Sequence, residues 1–229
     1  MTGTHYKCAC VIVLMLLTLP LWAQNGSAGQ ISAVKGKVSL VRGNAVPVLL
    51  REHDPIQAGD SILTDAKSSA TMRLPDGSTV RIFANSHVVL RSESGTWKEF
   101  LHVLLGSVRV RIEKLSGRPN PKTVTTPTAI IAVRGTIFAV AVEQNGDTRV
   151  GLEKGLVAVT SQLHPEQEVL VRPGQEVWVR QGQGPTQPRQ MQRAMPSLTG
   201  PDAAGSGMRG TGVGGTARPS GTGRRGPQR

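Results

Sequence analysis

The stretch Ser107-Val-Arg-Val-Arg-Ile-Glu113 decides the fold class of this 229-residue chain, because apolar and polar side chains alternate along its whole length. At the two-residue period of a β-strand, Val108, Val110 and Ile112 lie on one face and the charged side chains on the other. On a helix the same side chains would be scattered around the cylinder. The stretch therefore predicts a β-strand with one buried face.

Similar alternation recurs on both sides of this stretch, and Gly, Asp-Gly, Asn-Gly or Pro-Gly separates nearly all of the segments. The alternating segments are 70–74, 79–82, 156–159, 169–172 and 177–180. Asn145-Gly146-Asp147 lies between the apolar runs 138–142 and 148–152 and indicates a β-hairpin. Only 96–105 is ambiguous. Many short strands with frequent turns predict an all-β fold: a compact sandwich, a jelly roll or a short β-roll.

Composition divides the chain into four segments. Residues 1–23 have the layout of a secretory signal peptide, with Lys7, an apolar run that Pro20 ends, and Ala23 at the expected cleavage point. An uncleaved membrane anchor is the alternative, although the run is shorter than the ~20 residues of a spanning helix. The remaining segments are a flexible lead (24–29), a folded β domain (30–182) and a disordered tail rich in Gly, Pro and Arg (183–229).

The two cysteines, Cys8 and Cys10, both lie within the predicted signal peptide, so the exported chain would contain no thiol. A disulfide framework, a cysteine zinc site and a cysteine nucleophile are thereby excluded. Neither cysteine follows the apolar run, where a lipoprotein signal has its lipidated residue. We therefore expect a periplasmic or secreted protein with no lipid anchor and, after cleavage, no membrane span.

The formal charge of +12 is unevenly distributed along the chain. From Gln183 onward there are seven arginines, no lysine and one acidic residue, Asp202. A basic tail on an exported protein favours an acidic envelope polymer or anionic lipid over nucleic acid. Aromatic residues make up 3% of the chain, which also disfavours a base-stacking surface. The expected partner is an envelope protein or an acidic polymer, and the sequence leaves the oligomeric state open.

No constellation of catalytic residues is apparent. Gly59-Asp-Ser-Ile62 is reminiscent of the nucleophile block of GDSL hydrolases, but Ser61 would need a histidine as base and an acid to orient it. The Asp-x-x-His that supplies this pair in those enzymes does not occur in the sequence. The histidines of the body are isolated along the chain, without the close spacing of metal ligands: His53, His87, His102 and His164. We therefore expect no enzyme, no metal and no cofactor.

Turn and strand motifs follow one another in a characteristic order between residues 31 and 179. They are Gly36-x-Val38, Gly59-Asp60-x-Ile62-x-Thr64, Leu74-x-Asp76-Gly77-Ser78, Leu104-Leu-Gly106-x-Val108, Thr125-Thr126-Pro127, Val133-Arg134-Gly135-Thr136-x-Phe138-x-Val140, Gly155-x-Val157-x-Val159 and Gly174-Gln175. This ordered set resembles the FecR domain, the periplasmic module of iron-uptake signalling systems and of many stand-alone exported proteins. The resemblance implies an exported β module that contacts other molecules. Its structural motif residues are Gly59, Asp60, Asp76, Gly77, Thr126, Pro127, Gly135, Thr136 and Phe138.

The resemblance leaves three functions open. Signalling members of the family have a cytoplasmic sigma-factor-binding segment before a membrane helix, whereas about seven residues precede the apolar run here, so we do not expect the sigma-regulator role. The main hypothesis is a non-catalytic adaptor that binds an envelope protein or polymer. The alternatives are a regulatory component of a cell-surface signalling or transport system, and a structural envelope protein whose basic tail adheres to polyanions.

Five arginines are candidate binding residues. Arg73, Arg81, Arg109 and Arg111 alternate with apolar residues and would form a basic stripe for an anionic polymer if their strands are neighbours. Dispersed charge on an ordinary solvated sheet face is the alternative. Arg134 could present its guanidinium to a carboxylate or a sugar acid. The favoured interpretation of Arg134 is architectural, as the partner of an internal acid such as Asp60 or Asp76.

Overall fold

The computed structural model describes residues 28–91, 98–191 and 195, and this part of the chain forms 17 strands and no helix. The strands are β1 (Gly29–Lys35), β2 (Val38–Arg42), β3 (Val48–Leu49), β4 (Pro55–Ile56), β5 (Asp60–Thr64), β6 (Ser69–Arg73), β7 (Thr79–Ile82), β8 (His87–Leu90), β9 (Lys98–Arg111), β10 (Pro121–Thr125), β11 (Ala129–Arg134), β12 (Ile137–Val142), β13 (Thr148–Lys154), β14 (Val157–Ser161), β15 (Glu168–Val171), β16 (Gln175–Val179) and β17 (Arg189–Gln190). The all-β prediction is confirmed.

The described strands form two layers that share one strand. The first, sheet 1, has the order β4-β1-β6-β7-β9-β12-β13-β16-β17, with antiparallel pairing throughout. The second, sheet 2, has the order β3-β2-β5-β8-β9-β10-β11-β14-β15, in which only β9 and β10 are parallel. Because the chain crosses repeatedly between the two sheets, strands that are close in sequence lie on the same side of the domain in both sheets.

The long strand β9 joins the two sheets. Its first part pairs with β8 and β10 in sheet 2, and its last part, from Gly106 onward, pairs with β7 and β12 in sheet 1. Gly106 marks the crossing with a φ of +86°, and a Cβ at this position would lie 2.2 Å from the Oγ of Ser86. Ser86 Oγ accepts a hydrogen bond from the Ser107 N–H at 2.9 Å, which holds the corner closed.

One hydrophobic core fills the space between the sheets. Val108 and Val110 of sheet 1 and Ile62 and Val88 of sheet 2 are all fully buried members of it. The inward face of Ser107–Glu113 is therefore the predicted one, with Ile112 4% exposed. The predicted hairpin is also confirmed, since Asn145-Gly146-Asp147 connects β12 to β13 and Val142 pairs with Thr148. The ambiguous stretch 96–105 is strand from Lys98 onward.

The ordered domain ends later than the sequence predicted. The Gly and Pro content of residues 183–191 predicts disorder, but Arg189–Gln190 form β17 against β16. Thr186 also donates its N–H to the Trp178 carbonyl at 2.8 Å, and Met195 is 1% exposed. Backbone pairing orders this segment despite its composition. The predicted signal peptide, residues 24–27 of the predicted lead, and residues 192–194 and 196–229 of the predicted tail lie outside the described residues.

Candidate functional site

Four of the five predicted binding arginines lie on the outer face of sheet 1. Their strands β6, β7 and β9 are neighbours, so the condition for a basic stripe is met. Arg81 lies directly opposite Arg109, while Thr79 lies between Arg73 and Arg111. Like charges directly across a sheet are unfavourable, so this register needs compensating groups nearby.

Three of these arginines, Arg81, Arg109 and Arg111, line an open groove of about 350 Å³ on this face. Its lining residues are Ala33, Thr71, Thr79, Arg81, Arg109 and Arg111. Thr71 pairs with Arg81 across the sheet, so each threonine of the groove is the cross-strand neighbour of an arginine. We call this feature the arginine groove. Hydroxyl and guanidinium donors at one place suit a carboxylate or another oxyanion.

Carboxylates outside the groove hold two of its arginines in place. Ala139 of β12 is the cross-strand neighbour of Arg109, and Gly151 of β13 is the next residue across the sheet. The Arg109 side chain extends over both, and its Nη2 donates to Glu153 Oε2 at 2.7 Å. The small side chains at these two positions leave room for that path. Arg111 Nε donates to Glu113 Oε1 at 2.6 Å.

Two further features describe the arginines of the groove. The guanidinium carbon of Arg81 lies 5.3 Å from the centroid of the Phe83 ring, which orients the side chain. Arg109 Nε is buried, and within the described part of the chain no acceptor lies within hydrogen-bond reach of it. The groove contains three arginines and has two glutamates at its periphery, so its net charge is positive.

A second charged cluster lies on the outer face of sheet 1, beyond β12. Glu176 is 2% exposed and accepts hydrogen bonds from Arg149 and, at 3.0 Å, from Arg189 Nε. The Arg149 guanidinium also lies 5.6 Å from the Trp178 ring centroid. Two arginines on one buried carboxylate attach β17 to the domain, so this cluster is structural.

Arg134 is separate from the other four arginines. It is exposed at the end of β11 in sheet 2 and lines a different groove, of about 360 Å³, with Ala132, Leu156, Ala158, Glu168 and Leu170. The acids suggested as its partners are bound to other cations. Asp60 pairs with Arg42 through two hydrogen bonds of 2.8 Å, and Asp76 lies 3.2 Å from the Nζ of Lys122.

The motif residues occupy turns and buried junctions. Asp60 is 1% exposed and also accepts the Gln57 N–H, while Gly59 and Gly77 form turns with positive φ. Thr126 is fully buried beside the exposed Pro127, and its hydroxyl bonds Thr148 at 2.8 Å and the Ala129 N–H at 2.9 Å. Gly135 has a φ of +80°, Thr136 is 2% exposed and Phe138 is fully buried. None of these residues belongs to the arginine groove.

Asp76 is the centre of a buried network. Burial alone would raise the pKa of Asp76, but the Ser78 N–H, the Asn120 amide and the Lys122 charge outweigh it and hold the pKa below its ordinary value. The Asn120 amide donates to Asp76 at 2.7 Å and to the Glu113 carbonyl at 3.1 Å. Lys122 is 2% exposed and its ammonium lies 5.1 Å from the Phe100 ring centroid. The network links the turn before β7 to the start of β10.

The interpretation of the histidines as isolated side chains needs a correction. His87 Nε2 lies 2.6 Å from Ser61 Oγ, because β5 and β8 are neighbours, although no sequence motif places them together. His102 Nδ1 similarly bonds Thr125 Oγ1 at 2.7 Å. Burial lowers the pKa of both histidines. Among the described residues no carboxylate bonds the other ring nitrogen of His87, so the acid of a catalytic triad is missing there.

Thr71 and Thr79 of the groove and Glu153, the partner of Arg109, are not among the site residues predicted from the sequence. The threonines could have been found, because they lie two residues from Arg73 and Arg81 and therefore share their face. Glu153 is 44 residues from Arg109, and only the strand order brings the two together.

Comparisons with known proteins agree with the motif series. Residues 60–158 match the family described as FecR protein. No curated protein matches the chain. Two crystal structures of a candidate anti-sigma factor from Parabacteroides distasonis are similar, each at 21% sequence identity and a TM-score of 0.48. Each match covers 57% of this chain and 59% of the other, so the chain matches less than two thirds of that solved protein. No helix among the described residues has the length and apolarity to cross a membrane.

Proposed function

Since residues 60–158 of this protein are a FecR region, we propose that the protein is a non-catalytic regulatory component of a cell-surface signalling system and acts by binding. The ligand we assign to it is an acidic segment of a partner protein. The arginine groove is the proposed binding site. The observation on which the proposal rests is the direct opposition of Arg81 and Arg109, with Arg111 and two threonine hydroxyls in the same groove.

The size and charge of the groove support an acidic protein segment over a long polymer. About 350 Å³ accommodates one or two carboxylate side chains and lies at the low end of ligand-sized pockets. A carboxylate bound by Arg81 and Arg111 would offset the repulsion between neighbouring cations. Hydrogen bonds between charged groups are about twice as strong as neutral ones, so a few of them suffice for recognition. Export of the chain is part of the proposal, because such a partner would lie in the cell envelope.

A double variant tests the proposal. Arg81→Gln/Arg111→Gln removes two cations from the groove but leaves the Arg109–Glu153 bridge, so the fold should persist. The background is the full-length chain with the tail arginines 193, 209, 218, 224, 225 and 229 changed to Gln, which removes nonspecific binding by the tail. The probe is a fluorescent Glu-rich peptide, with its Gln-rich counterpart as a blank, in an anisotropy titration at about 50 mM salt.

We expect the double variant to bind the Glu-rich peptide at least about tenfold more weakly, because it loses two charge-assisted hydrogen bonds. Arg118→Gln, an exposed arginine of the β9–β10 connection, is the matched control and should stay within about twofold of the parent. Equal binding by the parent and the double variant would refute the groove as the site. Binding of polygalacturonate but not of the peptide would instead favour an adaptor for envelope polymers.

A further inference from the structure

The outer edges of the two sheets differ in how far they are protected. Among the described strands, β3 and β15 are the edges of sheet 2, and β4 and β17 are those of sheet 1. β3, β4 and β17 have two residues each, and β4 contains Pro55. Short edge strands and proline are common devices against pairing with another chain. β15 has four residues and no proline, so it is the longest of these four edge strands.

The side chains of β15 alternate between the core and the outer face. Val171 is fully buried and Val169 partly buried, while Glu168 and Leu170 lie on the outer face and are exposed. Arg172, which follows β15 directly, is also exposed and would continue this face at the two-residue period if the strand were extended by one residue. The edge therefore presents the series Glu168, Leu170, Arg172, in which an acid and a base flank an apolar residue symmetrically.

The apolar residue at the centre belongs to a larger apolar surface. Leu170 is 50% exposed and Leu156, which directly precedes β14, is 49% exposed. Both line the groove over Ala132 and Ala158 on sheet 2. An exposed apolar pair beside an open strand edge is what strand addition by another chain requires.

We propose that two copies of the protein pair antiparallel through β15, with Leu170 on the twofold axis. In a twofold antiparallel pair, residues equally far from the axis lie opposite one another on the same face. Leu170 then faces the partner's Leu170. Glu168 faces the partner's Arg172, and Arg172 faces the partner's Glu168. Sheet 2 continues across the axis into the second copy.

Charge complementarity selects this register from the neighbouring ones. An axis at Glu168 or at Arg172 would place two like charges directly opposite each other, which is destabilising. An axis at Val169 would place Glu168 opposite the partner's Leu170. Only with the axis at Leu170 do both charges of this series face opposite charges. The arginine groove is on the outer face of sheet 1, so the dimer leaves it accessible and does not depend on the function proposed for it.

The test uses single charge reversals and their mixture. Glu168→Arg alone places arginine opposite arginine at both ends of the edge, and Arg172→Glu alone places glutamate opposite glutamate. Mixing the two variants in equal amounts restores two pairs of opposite charge in a heterodimer. Sedimentation equilibrium of the full-length protein from about 1 to 300 µM gives the dimer dissociation constant. Arg118→Glu is the control for a change of net charge away from the edge.

We expect a monomer–dimer equilibrium for the parent protein and for Arg118→Glu. Each single variant should dimerise at least about tenfold more weakly, because two attractive contacts become repulsive. The mixture should recover dimerisation to within about threefold of the parent, which a mere folding defect in either variant would prevent. The proposal is overturned if the parent stays monomeric to 300 µM or if the mixture dimerises no better than the single variants. Assemblies that grow beyond the dimer would also overturn it, because they indicate head-to-tail pairing of β15 with another edge such as β3.

Discussion

The buried Lys122–Asp76 pair gives the most direct test of how this domain is held together. Lys122 is among the largest fully buried side chains, at 2% exposure, and its Nζ lies 3.2 Å from Asp76 Oδ2. Lys122→Met keeps the length of the side chain and removes its charge. It leaves the Asp76 carboxylate, 15% exposed, with the Ser78 N–H and the Asn120 amide among its remaining donors.

We expect Lys122→Met to lower the free energy of unfolding by about 3 kcal/mol, the lower end for breaking a buried pair, because those two donors still compensate the carboxylate. Asp76→Asn should cost more, about 4 to 5 kcal/mol, because it leaves an ammonium buried without its counter-ion. The double variant Lys122→Met/Asp76→Asn removes both charges and should cost less than the sum of the two single changes, by about 1 to 3 kcal/mol.

Urea denaturation at pH 7, with a common m-value, measures these differences. Lys37–Asp65 is the matched control, since its atoms lie 3.5 Å apart but its side chains are 67% and 57% exposed. Lys37→Met should therefore cost under about 1 kcal/mol. If Lys122→Met cost no more than Lys37→Met, or if the double variant showed no coupling, the buried pair would not stabilise the domain.

Three further predictions concern the corner, the histidines and the tail. Gly106→Ala should lower the free energy of unfolding in urea by more than about 2 kcal/mol, since the new Cβ would meet Ser86 at a position with positive φ. Gly43→Ala also has a positive φ but open space around it, so it should cost clearly less. Equal costs would contradict the corner geometry. Burial lowers the pKa of His87, so its contribution to the free energy of unfolding should be fully present above the ordinary pKa of about 6.5 and be lost as the pH falls below that value. His87→Gln should therefore reduce the change in urea midpoint between pH 7 and pH 5. An unchanged pH dependence would refute this. Changing the six tail arginines beyond β17 to Gln should abolish low-salt binding to anionic vesicles and leave the melting temperature unchanged. Binding that does not weaken with salt would contradict an electrostatic role for the tail.

Much of the fold follows from local sequence patterns. The alternation around Val110 fixes which face of β9 is buried, and Asn145-Gly146 fixes the turn of the β12–β13 hairpin. Both signals are local, since they depend on residues within one strand or one turn. The resemblance to the FecR domain adds the order of the corners along the chain.

Other features depend on which strands become neighbours, and local patterns do not determine this. The opposition of Arg81 and Arg109, the contact of Ser61 with His87 and the reach of Arg109 to Glu153 all join strands that are far apart in sequence. The position of the domain end was missed for a related reason. Backbone pairing and the Arg189–Glu176 contact order a segment whose own composition indicates disorder.

Most of the residues that give the chain its family likeness are not available to a ligand. Asp60, Thr126 and Phe138 are buried, so their side chains maintain corners and core and cannot contact a partner. A match to the family over 60–158 therefore specifies the scaffold. A ligand would contact side chains on the outer faces of the two sheets instead. In this protein those outer faces contain the arginine groove of sheet 1 and the Glu168–Leu170–Arg172 edge of sheet 2, so its ligand and its assembly should be sought there.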